Sequence, residues 1–90
     1  MKTIYKYPLE ITDMQVLNLP IHASIISIQN QKEKLCLRAI VDDDERGKES
    51  RRFRVIGTGH PIPEEIRLEL LGHVQLLNGN LVFHVFEEVE

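Results

Sequence analysis

Residues 68–86, Leu-Glu-Leu-Leu-Gly-His-Val-Gln-Leu-Leu-Asn-Gly-Asn-Leu-Val-Phe-His-Val-Phe, carry the local signal that decides the fold. Asn78-Gly79 stands between two apolar runs, and Asn-Gly is the favoured pair for a type I′ hairpin turn because both central residues take positive φ. With those two residues as the turn, Leu77 faces Asn80, Leu76 faces Leu81, Val74 faces Phe83 and His73 faces His84. Side chains alternate across a strand, so one face collects Leu68, Leu70, Val74, Leu76, Leu81, Phe83 and Val85 as a core surface. The other face holds Leu71, His73, Gln75, Leu77, Val82, His84 and Phe86, too apolar a set to be left wholly in water. Either the N-terminal segment or another copy of the chain is expected to cover it. Leu71, His73, Val82, His84 and Phe86 are therefore the candidate interface of a homo-oligomer.

Upstream, residues 2–7 alternate Lys2, Ile4 and Lys6 with Thr3, Tyr5 and Tyr7, a strand pattern that Pro8 ends or holds at an edge. Residues 9–20 read as an extended connection bringing Leu9, Ile11, Val16, Leu17 and Leu19 to the core. Residues 22–30 are rich in β-branched side chains, Gln31-Lys32-Glu33 is a polar turn, and Leu35 to Val41 alternates as a third strand. Asp42 to Ser50 reads as a charged loop, and Arg51 to Ile56 as a fourth strand with Phe53 and Val55 opposite Arg52 and Arg54. The sum is mostly β: a single small antiparallel sheet or partly open barrel of five to six strands. It holds at most one short helical turn, near residues 64–69, and forms one β domain over residues 1–90.

Composition narrows the functional classes. At 42% hydrophobic and 28% charged residues the chain has enough apolar content to fold. A net charge of −3 offers no global attraction to nucleic acid or to an anionic membrane. No apolar run approaches the roughly 20 residues of a membrane span, and no apolar stretch of a signal peptide follows Lys2. Cys36 is the sole cysteine, which excludes an internal disulfide. A cytoplasmic protein is expected, with no membrane partner and no cofactor.

Arg51-Arg52-Phe53-Arg54-Val55-Ile56-Gly57-Thr58-Gly59-His60 is the most suggestive segment for binding. Arginines present planar, multi-donor groups matched to phosphate or carboxylate. Gly57 and Gly59 could let backbone N–H groups converge on an anion, with Thr58 and His60 adding donors. Arg51, Arg52, Arg54, Gly57, Thr58, Gly59 and His60 are thus the candidate anion- or partner-binding residues. The plainer alternative puts Arg52 and Arg54 on the solvated face of an edge strand, neutralised by Asp42 to Glu45. His73 and His84 would be cross-strand neighbours but have no evident further ligands, and Asp42 to Glu45 lacks the spacing of a calcium loop, so no metal site is expected. No nucleophile–base pattern stands out, and no enzyme activity is expected.

Three segments carry a resemblance: Lys2-Thr-Ile-Tyr-Lys-Tyr-Pro-Leu9, Arg51 to Pro63, and Gly79-Asn-Leu-Val-Phe-His-Val-Phe86. Together they resemble a family of short proteins found in phages and prophages, mostly described as of unknown function, with the departure falling around residues 14–34. The resemblance implies a habitat in which small accessory proteins block a host defence protein or sequester a nucleotide-derived signal. The expected function is non-enzymatic: a counter-defence inhibitor that binds an anionic partner. The alternatives are a small structural or assembly protein of a phage particle and a DNA-directed regulator, the latter disfavoured by the acidic balance.

Overall fold

The computed structural model describes residues 1–89. Seven strands follow one another: β1 (Lys2–Pro8), β2 (Gln15–Pro20), β3 (Ser24–Gln31), β4 (Lys34–Asp42), β5 (Lys48–Gly57), β6 (Leu68–Leu76) and β7 (Leu81–Glu88). No helix occurs among the described residues, which agrees with the expectation of at most one short helical turn. The strands form two sheets, ordered β1-β4-β3 and β2-β5-β7-β6, and every paired neighbour is antiparallel. The expectation of a single sheet or partly open barrel of five to six strands is thereby corrected to two sheets of seven strands without barrel closure.

The additional strand is β2. Its pairing with β5 runs from Gln15↔Phe53 to Pro20↔Lys48. Pro20 is tolerated because it is the last residue of an edge strand, where its missing N–H breaks no ladder. The same pairing gives Lys48, Glu49 and Ser50 ladder partners, so β5 begins at Lys48 and the charged loop shrinks to residues 43–47.

The sheets share one apolar core. Alternate residues of β4, Leu35, Leu37, Ala39 and Val41, meet Phe53 and Val55 of β5, Val74 of β6 and Val85 of β7. Phe53, Leu19, Leu37 and Val85 are the largest wholly buried side chains. β5 and β6 both run antiparallel to β7 and therefore parallel to each other, so residues 58–67 must cross from one to the other. The crossover is extended. His60, Pro61 and Pro63 share a cavity with Arg54 and Ile56, and residues 65–67 share one with Arg52 and Glu88, which lays the crossover along the outward side of β5.

The β6–β7 hairpin has the register read from Asn78-Gly79: Leu76↔Leu81, Val74↔Phe83 and His73↔His84. Asn78 and Gly79 both take positive φ, as a type I′ turn requires, and Leu77 joins them at φ 51°. Further along, the register shifts between Leu70 and Gly72, so Leu71 is an extra residue. A bulge reverses side-chain parity beyond it. Leu71 accordingly packs against the core, whereas Leu70, assigned to the core by simple alternation, is 60% exposed. The interface set is corrected in this one member: Leu71 lies inside, and Leu70 is exposed where alternation had put Leu71.

The tips of two hairpins clasp each other. Lys32 and Glu33 form the β3–β4 turn with φ of 53° and 63°. Asn30 Oδ1 accepts the Glu33 N–H at 2.8 Å, and Asn30 Nδ2 donates to the Gln75 carbonyl at 2.8 Å. The Glu33 carboxylate accepts the Leu77 N–H at 2.8 Å, a group the hairpin leaves without a ladder partner. Nearby, a Cβ added to Gly72 would lie 3.3 Å from Ile28 Cβ, so glycine permits β6 to approach β3 closely. Asn30→Ala should cost about 1 kcal/mol, since water replaces part of these exposed bonds. Hydrogen exchange should then accelerate at the Leu77 and Glu33 amides before the central strands are affected.

Candidate functional site

The structure separates the candidate arginines by strand parity. Arg51 lies on the same side of β5 as Phe53 and points into the end of the sandwich. Its Nε donates to Glu87 Oε2 at 2.6 Å and its Nη2 to Glu87 Oε1 at 2.8 Å, while Nη1 donates to the Ala23 carbonyl. The two side chains are only 18% and 10% exposed, and Glu87 raises the guanidinium pKa above its ordinary value. Arg51 thus ties the start of β3 to the second sheet.

Arg52 and Arg54 point outward. Arg54 Nε donates to Glu88 Oε1 at 2.6 Å, and Arg52, 64% exposed, reaches Glu88 Oε2 only at 4.0 Å. The neutralising acids are therefore Glu87 and Glu88 of β7, not Asp42 to Glu45, and β5 is an inner strand, not an edge. The aspartates are engaged elsewhere. The Met1 amine lies 2.9 Å from Asp44, 3.2 Å from Asp42 and 3.2 Å from Asp43, and its pKa is pushed up to about 11 by Asp44 first, then Asp42 and Asp43. The ligand atoms of these three carboxylates lie within 4.8 Å of one another.

The glycine segment forms a turn whose amides are largely spent within the protein. The Thr58 N–H donates to the Val82 carbonyl at 3.1 Å and the His60 N–H to the Gly57 carbonyl at 3.0 Å. Gly59 takes φ 90°, and the His60 ring lies against Gly57, where an added Cβ would meet it at 3.2 Å. Arg54 and His60 do come together, with Asp13, Pro61 and Pro63, around a cavity of about 330 Å³. Thr58 does not join them: its Oγ1 is 3.0 Å from His84 Nε2. The His73 and His84 rings are neighbours with centroids 6.0 Å apart.

A second cationic surface was not legible in the sequence. On the outward face of the first sheet, Lys6 stands directly opposite Arg38 in the ladder. Lys34 lies further along the same face of β4, beside Lys32 of the turn. Among the described residues none of these four forms an ion pair, in contrast to Arg51, Arg52 and Arg54. Ile4 is exposed on this face and pairs with Ile40, so the cations adjoin an apolar strip. These residues come from separate stretches of chain, and only the β1–β4 pairing and the β3–β4 turn assemble them.

Fold and surface together define a small all-β domain of two sheets, with a cluster of unpaired cations, Lys6, Lys32, Lys34 and Arg38, on the outward face of the first. The chain belongs to the family DUF7352, a domain of unknown function, whose model matches residues 1–90. No curated protein and no solved structure matches the chain. No helix among the described residues is long and apolar enough to cross a membrane.

Proposed function

We propose that this protein is a non-catalytic binding module that captures an anionic partner through the outward face of its first sheet. The observation that supports it most directly is Lys6 opposite Arg38, with Lys32 and Lys34 close by and no acid paired to any of them. Like charges placed directly opposite across strands destabilise a sheet, and an anionic partner removes that repulsion. The arginine cluster is the weaker docking surface, because Glu87 and Glu88 already occupy it. The finer assignment, a cytosolic phage accessory protein acting against a host defence, is supported by the resemblance of the opening, central and closing segments. Self-association through the outward face of the second sheet is a companion proposal, supported by exposed Leu70 beside Phe86.

Retention on a polyanion resin tests the reading, with heparin as the probe. A chain of net charge −3 has no overall attraction to such a resin, so retention at low salt requires a locally cationic face. Wild type should bind and elute as salt shortens the Debye length to about 10 Å near 0.1 M. Lys6→Glu with Arg38→Glu should flow through. Arg52→Glu with Arg67→Glu, which makes the same charge change on β5 and the crossover beside it, should still bind. Flow-through of wild type, or equal loss in both variants, would show that no anion-binding face exists there.

A further inference from the structure

We infer that the pocket beneath the β3–β4 turn is a nucleotide-binding site, with phosphates held by Lys6, Lys32 and Lys34 and the base resting on an apolar floor of Pro8 and Cys36. The inference rests on the anion-binding reading above and deepens it by naming a ligand class. The pocket has a volume of about 440 Å³ and is lined by the three lysines together with Pro8, Gln31, Leu35 and Cys36. That volume lies within the roughly 300–1,000 Å³ of small-molecule sites.

Its charge balance is unusual for this molecule. Four other surface cavities among the described residues each include a carboxylate residue: Asp13, Asp42 with Glu45, Glu65 with Glu88, and Glu64 with Glu65. The lysine pocket includes none. The acid between Lys32 and Lys34, Glu33, has its carboxylate turned to the Leu77 N–H of the other hairpin. Lys6 is positioned by a neutral group instead: its Nζ donates to Gln31 Oε1 at 2.9 Å. The same oxygen is 4.0 Å from Cys36 Sγ, so Gln31 links the ammonium to the floor of the pocket. The lysine is thus held in place without being neutralised.

Three ammonium groups on flexible stems suit the distributed charge of a polyphosphate better than a single planar carboxylate, which arginine forks match. Pro8 and buried Cys36 supply apolar contact, which bare phosphate does not use and a heterocyclic base does. Both features together select a nucleotide over inorganic phosphate.

Isothermal titration with ATP, without divalent metal and at low salt, tests the site, with inorganic triphosphate as the second probe. ATP should bind saturably and triphosphate more weakly. Lys6→Ala with Lys34→Ala should weaken ATP binding by about tenfold per lysine, the loss expected for a charge-assisted bond. Both substitutions are on exposed side chains, and an unchanged circular dichroism spectrum would confirm an intact fold. Arg52→Ala should leave ATP binding unaltered. Absence of ATP binding, binding that survives the double substitution, or triphosphate binding as tight as ATP would each overturn the nucleotide assignment. Heparin retention by a protein that ignores ATP would sink the pocket alone and leave the anion-binding face standing.

Discussion

Arg51→Ala is expected to destabilise the protein by about 3 kcal/mol, the lower end of the roughly 3–5 kcal/mol seen when one partner of a buried ion pair is removed. The lower end applies because Arg51 keeps 18% exposure, so water reaches the gap. What makes the loss large is the residue left behind. Glu87 is 8% exposed overall and on the inward side of β7, and it would lose both guanidinium contacts at once. The Ala23 carbonyl would lose its donor too, freeing the start of β3 from the second sheet. For a 90-residue chain the total stability is about 5–13 kcal/mol, so the change is a sizeable fraction of it. Urea denaturation should show the midpoint falling with little change in slope. Replacing both partners, Arg51→Met with Glu87→Leu, should recover most of the loss, because two apolar side chains strand no charge. An Arg51→Ala protein as stable as wild type would mean that solvent already supports Glu87.

Phe53→Ala is the second large effect, at about 3–5 kcal/mol for an aromatic truncated in a closed core. Phe53 is wholly buried and belongs to the cluster that joins the sheets, beside Leu19, Leu37 and Val85 in burial. It sits in the ladder between Gln15 of β2 and Glu87 of β7, so the cavity would open next to the Arg51–Glu87 pair. The two substitutions should therefore be non-additive, since neighbours sharing a partner couple by about 0.5–3 kcal/mol. Thermal melts of Phe53→Ala, Arg51→Ala and the double variant would measure that coupling. Phe53→Leu, which keeps most of the apolar volume, should lose much less. Equal losses for leucine and alanine would argue that the ring's shape, not its volume, holds the sheets together.

Much of the strand pattern was readable from spacing alone. Leu35, Leu37, Ala39 and Val41 alternate, and all four are buried on one face of β4. Phe53 and Val55 lie opposite Arg52 and Arg54, and Asn78-Gly79 places the final hairpin in its register. β2 was missed because adjacent Val16 and Leu17 break the alternation within only six positions that end in Pro20, a weak signal until β5 lies alongside. Leu70 and Leu71 were exchanged because a bulge has no reliable local mark. Gly72 permits it, but glycine is equally compatible with regular pairing.

The candidate site shows the same division. Clustered arginines are visible in a linear reading, yet Glu87 and Glu88, which neutralise them, lie more than 30 positions away in the chain. Lys6, Lys32, Lys34 and Arg38 attract no notice in sequence because they are spread from position 6 to position 38 and none forms a run.

Alternation and turn chemistry are local: each residue's side is set by the pleat, and each tight turn by the φ its residues tolerate. From them the sequence by itself determined that the chain is built of strands, which residues of β4 and β5 face inward, and how β6 meets β7. Strand neighbours across a sheet are chosen by the burial of the whole core, a sum over the entire molecule. Only the tertiary structure therefore decided that β7 brings its glutamates to the arginines and that β1 brings Lys6 to Arg38, two unpaired cations side by side on the opposite sheet.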